Sequence, residues 1–155
     1  MAENDIPEVY LDDAEPPYVD EHRITIATSR DLVWIALRRY ADSSLGSTQN
    51  HPLARLLGTD PASGFAVAQA VPNQQLTLAG RHRFARYKLV FELADADAGE
   101  TLLTARTYAA FPGLLGRIYR ALVIGTRGHV VAVRRMLRSV RRLSLELANP
   151  IDPTG

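Results

Sequence analysis

The stretch FPGLLGRIYRALVIGTRGHVVAVRRMLRSVRRLSLELANP, residues 111–150, decides the architecture. Leu115, Ile118, Leu122, His129, Val133, Met136, Val140, Leu143 and Leu147 recur at close to 3.6-residue spacing, which predicts one continuous helix over 114–148 with a single buried face. At 1.5 Å per residue that helix is roughly 50 Å long. Pro112-Gly113 separates it from what precedes, and Asn149-Pro150 ends it, leaving 149–155 as a tail. Gly116, Gly125 and Gly128 interrupt it, and an interior glycine costs about 1 kcal/mol relative to alanine. Close backbone approach, a kink or room for a ligand are the gains that offset such a cost.

A helix of this length needs a broad apolar surface to cover its buried face, and the residues upstream supply strands. Thr101–Phe111 sets Thr104, Arg106 and Tyr108 against Leu103, Ala105 and Thr107, an alternation that fits a strand with either set inward. Asp95–Gly99 is a turn. Gln74–Leu93 is too long for one typical strand and divides into two, joined around Gly80–Phe84. Leu76 and Leu78 face inward on the first. Tyr87, Leu89, Phe91 and Leu93 share one face of the second, with Arg86, Lys88 and Glu92 on the other. Phe65–Val71, between the turns Asp60–Gly64 and Pro72-Asn73, is a further strand.

Nearer the N-terminus, Pro52–Gly58 reads as a short helix with proline in its first turn and a glycine cap. A longer helix over Leu32–Ala41 buries Val33, Ala36, Leu37 and Tyr40, with Thr28 as its cap and Asp31 at its positive end. The strand Glu21–Ala27 precedes it, with Ile24 and Ile26 alternating against Arg23 and Thr25. Residues 1–21 carry eight acids and no Lys or Arg, and include Pro7, Pro16 and Pro17. They form an acidic extended or flexible arm, either solvated or laid over the basic body as a cap on a pocket mouth. The folded domain is thus 22–148.

At 155 residues the chain supports one core. Cysteine is absent, which removes disulfides, thiolate nucleophiles and cysteine metal sites. No stretch approaches 18 apolar residues and the N-terminus is acidic, so a cytoplasmic location is expected. The net charge of +1 conceals an asymmetry, since residues 22–155 hold all 18 basic residues against nine acids. His22, His51, His82 and His129 show no HExxH or comparable spacing, and no Walker loop, strand-linked GxGxxG or GxSxG elbow is present. No metal and no cofactor are expected.

The order of elements, a strand, two short helices, antiparallel strands with hairpin turns and a long last helix, resembles the START-like, or SRPBCC, superfamily of polyketide cyclases and lipid-binding proteins, over roughly residues 22–148. GRHRFARYKLVFEL at 80–93 and FPGLLGRIYRALVIGTRGHVVAVRRMLR at 111–138 look like a bacterial branch of it. The resemblance implies an α+β helix-grip fold, in which a curved antiparallel sheet wraps a long C-terminal helix around a cavity for hydrophobic ligands. For that branch it implies no particular activity.

On that expectation the cavity candidates are Phe65 and Val67, then Leu76 and Leu78, then Tyr87, Leu89 and Phe91, with Tyr108 from the last strand and Leu122, Thr126 and His129 from the helix. His82, near a hairpin, is either an acid–base group at the rim or a turn residue bonded across it. His129 lies on the apolar face of the helix and needs a partner there. It is either a satisfied core histidine, bonded to a strand tyrosine, or a pocket residue accompanied by Tyr87, Tyr108 or Tyr119. Arg106 and Arg127 can each present a guanidinium to a carboxylate, phosphate or enolate, or sit in a salt bridge to an outward acid.

Three functions follow for test. The first is binding or carriage of a small hydrophobic molecule. The second is a cofactor-independent cyclase, aromatase or dehydratase using His82, Arg106 or His129. The third is association with an anionic membrane surface or nucleic acid through Arg134, Arg135, Arg138, Arg141 and Arg142, although these lack interleaved aromatics and any reader motif, which argues against nucleic acid. Homodimerisation is compatible with each.

Overall fold

Period-two alternation resolves into five strands in a computed structural model that describes residues 15–47, 65–82, 85–125 and 127–150. They are β1 (Tyr18–Ile26), β2 (Ala66–Val71), β3 (Gln75–His82), β4 (Ala85–Asp95) and β5 (Thr101–Ala110). The helices are α1 (Arg30–Ser47), α2 (Gly113–Val123) and α3 (Gly128–Ala148). All pairings are antiparallel in the order β1-β5-β4-β3-β2, so the meander β2 to β5 is completed by β1 at the far edge. Register shifts at Tyr18/Asp20 and Val67/Gln69 place irregularities on both edge strands, where bulges increase bend and twist. The expected strand pair across 74–93 is present. The short helix expected at Pro52–Gly58 lies outside the described residues.

The sheet buries one face against the helices. Ile26, Leu76, Leu89, Phe91, Leu103 and Ala105 meet Val33, Ala36 and Leu37 of α1 and Val133, Leu137 and Val140 of α3 in one core. Each large apolar side chain buried there contributes about 1.5–3 kcal/mol. The arrangement is α+β and of the helix-grip type. The sidedness of β5 is settled by this packing. Leu103, Ala105 and Thr107 point inward, while Thr104, Arg106 and Tyr108 point outward.

Three expectations are corrected. β1 begins at Tyr18, not Glu21, so the end of the acidic segment is part of the sheet. Ser29, not Thr28, precedes the first helix: its carbonyl accepts the Val33 N–H at 3.1 Å and its hydroxyl bonds the Asp31 carboxylate, lowering that acid's pKa. The Thr28 carbonyl instead accepts the hydroxyl of buried Thr101 at 2.8 Å, tying the β1–α1 turn to β5.

Third, the helix expected over 114–148 is two helices. Arg127 adopts a left-handed backbone with φ 58°, and a Cβ at Gly125 would stand 2.2 Å from the Ala121 carbonyl oxygen. That approach needs glycine, so the kink is what this glycine provides. Downstream of the break the expected face is buried through Val133 and Val140. Upstream, Leu115 and Ile118 are exposed because the break turns α2 away from the core. Among the described residues no helix is long and apolar enough to cross a membrane.

Candidate functional site

Strand register lays out the inner wall. Asp20 stands opposite Thr107, Thr107 opposite Leu89, Leu89 opposite Leu78, and Leu78 opposite Val67. The next inward row toward the end of β5 runs Ala109, Tyr87, Gly80. The wall is therefore polar at the β1 edge and apolar toward β2, where the Phe65 and Tyr87 rings meet edge-on with centroids 4.8 Å apart.

At the polar edge, one carboxylate oxygen serves two histidines. Asp20 Oδ2 lies 2.8 Å from Nε2 of His129, in the first turn of α3, and 3.1 Å from Nε2 of His22, two residues along β1. All three side chains are largely buried, with 14–23% of their surface exposed. Burial pushes the Asp20 carboxyl up, but hydrogen bonds from Thr107, His129 and His22, with the charge of His129, outweigh it and hold the acid below its ordinary value. The Thr107 hydroxyl and Asp20 Oδ1 are both buried without a partner of good hydrogen-bond geometry, although Thr107 is near enough to favour the carboxylate.

This arrangement has defined chemistry. An imidazole that donates from Nε2 to a carboxylate is oriented by it and presents Nδ1 as its basic nitrogen. Among the described residues no group of three His, Asp or Glu side chains is placed to hold a metal ion.

The predicted candidates divide by position. His129 is not isolated; one of its partners is Asp20. Leu76, Leu78, Leu89 and Phe91 are core residues packed against α1 and α3, whereas Phe65 and Val67 are half-buried at the margin of that core. Tyr87 is half-buried on the same inner face.

Arg106 and Tyr108 stand on the opposite face of the sheet. Arg106 pairs with Glu21 at 2.6 Å and Glu92 at 2.5 Å, and Tyr108 meets Tyr18 edge-on with the Lys88 ammonium 4.6 Å from its ring centre. Hydrogen bonds from Arg106 hold Glu21 low, and the two acids in turn raise the pKa of Arg106. Lys88 also contacts Glu15, and burial lowers its pKa. Arg127 is exposed at the helix break. His82 ends β3 opposite Ala85. Its side chain and those of Tyr119 and Leu122, together with Thr126, lie outside the described residues.

Asp20, His22 and Thr107 were not among the sequence candidates. Their signal was available as the alternation Asp20, His22, Ile24, Ile26, which becomes visible once the strand is extended backward through the acidic segment.

No protein-family model matches the chain, and no curated protein does. Among solved structures, a conserved protein from Geobacillus kaustophilus aligns over 83% of this chain and 93% of its own, with 14% identity and a TM-score of 0.50. The Mll3558 protein from Rhizobium loti aligns over 80% and 94%, with 16% identity and a TM-score of 0.51. These similarities concern the fold.

Proposed function

We propose that the protein binds a small, largely apolar molecule against the inner sheet face, with the ligand's polar end met by Asp20, His22 and His129 and its apolar body by Phe65, Val67 and Tyr87. The observation that carries this reading is the buried Asp20 carboxylate, whose Oδ2 is shared by His22 and His129 while Oδ1 has only the nearby Thr107 hydroxyl, at poor hydrogen-bond geometry. A buried polar atom left wholly without a partner costs about 1–3 kcal/mol, and a ligand hydroxyl that bridges the carboxylate and the threonine supplies the geometry that these two atoms lack between themselves. The helix-grip architecture and the START-like resemblance support the same space.

The Asp20–His129 pair favours a second reading, a cofactor-independent cyclase or dehydratase in which Asp20 orients an imidazole that moves a proton on the bound ligand.

Native mass spectrometry of gently purified protein, followed by denaturing extraction, tests both. Binding predicts a stoichiometric apolar adduct that is lost in His129→Phe while the variant still unfolds in one cooperative transition, its melting temperature lowered only by the loss of the Asp20 bond. Conversion of the extracted compound by fresh protein, abolished in His129→Phe, would identify an enzyme. Protein that stays free of adduct, and unshifted in melting temperature by fatty or aromatic hydroxyl compounds, would sink the proposal.

A further inference from the structure

Helix α2 presents to solvent what helices ordinarily hide. Leu114, Leu115 and Ile118 are 65%, 62% and 53% exposed and form one stripe, since positions three and four apart share a helix face. Gly116 is buried on the other side of α2, so the stripe points away from the body. Val131, in the first turns of α3, is 67% exposed as well.

Arg117 borders the stripe, Arg120 lies on the far side of the helix one turn beyond Gly116, and among the described residues no ion pair joins either to a carboxylate. Both line a cleft of about 510 Å³, shared with Arg86, Tyr18 and Phe111, between α2 and the start of β1. Along the sequence, the segment from Thr101 to Leu145, which contains α2, has nine arginines and no acid.

We infer that α2 is a docking surface for an anionic phospholipid bilayer, its leucine and isoleucine stripe entering the headgroup boundary while Arg117, at the edge of the stripe, engages a lipid phosphate and Arg120 adds to the basic charge behind it. An exposed apolar stripe edged by arginine is the pattern of helices that lie in a membrane interface, where each basic residue near an anionic surface adds about 1 kcal/mol. A second copy of the chain meets the apolar requirement, but a two-fold contact through this stripe brings Arg117 toward its own equivalent. Nucleic acid satisfies the arginines and leaves Leu114, Leu115 and Ile118 without a partner.

The full chain is tested by cosedimentation with vesicles of phosphatidylcholine alone and of phosphatidylcholine mixed equally with phosphatidylglycerol. The protein pellets with the mixed vesicles only, and is released at about 1 M salt, where the Debye length is about 3 Å. Arg117→Gln with Arg120→Gln lowers the partition at least fivefold, about 1 kcal/mol for the arginine at the edge of the stripe. Leu115→Ser with Ile118→Ser lowers it at least tenfold at unchanged charge, and both pairs melt like wild type because all four side chains are exposed.

Failure to pellet with the mixed vesicles overturns the inference. So does binding that both double variants leave intact, which would assign it to the arginines of α3. A vesicle-inert protein that binds duplex DNA, or whose oligomeric state by light scattering collapses in the Leu115/Ile118 variant, overturns it in favour of those partners. The inference is independent of the internal ligand: neither double variant changes Asp20, His22 or His129, and both are expected to keep the wild-type adduct occupancy in vesicle-free protein.

Discussion

Asp20 is where a single proton has a structural consequence. Its folded pKa lies below the ordinary value of 3.8, because bonds from Thr107, His129 and His22 outweigh its burial. A depressed carboxylate contributes stability that is fully present above its unfolded pKa and is lost as pH falls through the folded one. Asp20→Asn removes that contribution, and partial solvation of the group keeps the loss at neutral pH to about 1 kcal/mol. The melting temperatures of wild type and Asp20→Asn should therefore differ at pH 7 and converge as pH drops below about 4. Glu21 and Asp31, also held low, remain in both proteins and cancel from the difference. A gap that stays constant down to about pH 2 would show that Asp20 contributes through packing instead. His129 was legible in the sequence as a polar residue on an apolar face, but its partner was not. Asp20 belonged to a segment whose acidity and prolines hid the first three residues of β1.

At the scale of elements, most of the sheet was readable because period-two alternation and turn residues are local signals. The helix break was less so, since hydrophobic periodicity continues in phase across Ile124–Arg127 and says nothing of the path between the two halves. Gly125→Ala separates the two descriptions by sign. In a continuous helix the substitution stabilises by about 1 kcal/mol. Where a Cβ must fit 2.2 Å from the Ala121 oxygen it destabilises, by about 1–3 kcal/mol or several degrees in melting temperature. Leu115 and Leu137 make the same point by packing. Both belong to the apolar run of 114–148, yet Leu137 is 2% exposed in the core and Leu115 is 62% exposed. Leu137→Ala should cost about 2–5 kcal/mol, whereas Leu115→Ala should stay within about 0.5 kcal/mol, both measured by chemical denaturation.

For the whole molecule, the two faces of the sheet carry different residues, the core and the Asp20–His22–His129 cluster inside and ion pairs outside. The sequence could not assign Arg106 to either face, because Thr104, Arg106 and Tyr108 are as amphipathic as Leu103, Ala105 and Thr107 are mixed. Packing decides it: Leu103 and Ala105 complete the core beneath α1 and α3, which sends Arg106 outward to Glu21 and Glu92. The acidic N-terminal segment thereby acts on both faces at once, with Glu15 on Lys88 and Glu21 on Arg106 outside, and Asp20 on two histidines inside. This separation carries a paired prediction. Arg106→Gln removes a guanidinium that a catalytic or ligand-binding role on the inner face would require, yet it leaves adduct occupancy unchanged. Asp20→Asn, a smaller change only one residue from Arg106's own partner Glu21, empties the site. Native mass spectra of the two variants, prepared identically, compare them directly. Loss of the adduct in Arg106→Gln with full occupancy in Asp20→Asn would move the binding surface to the outer face of the sheet.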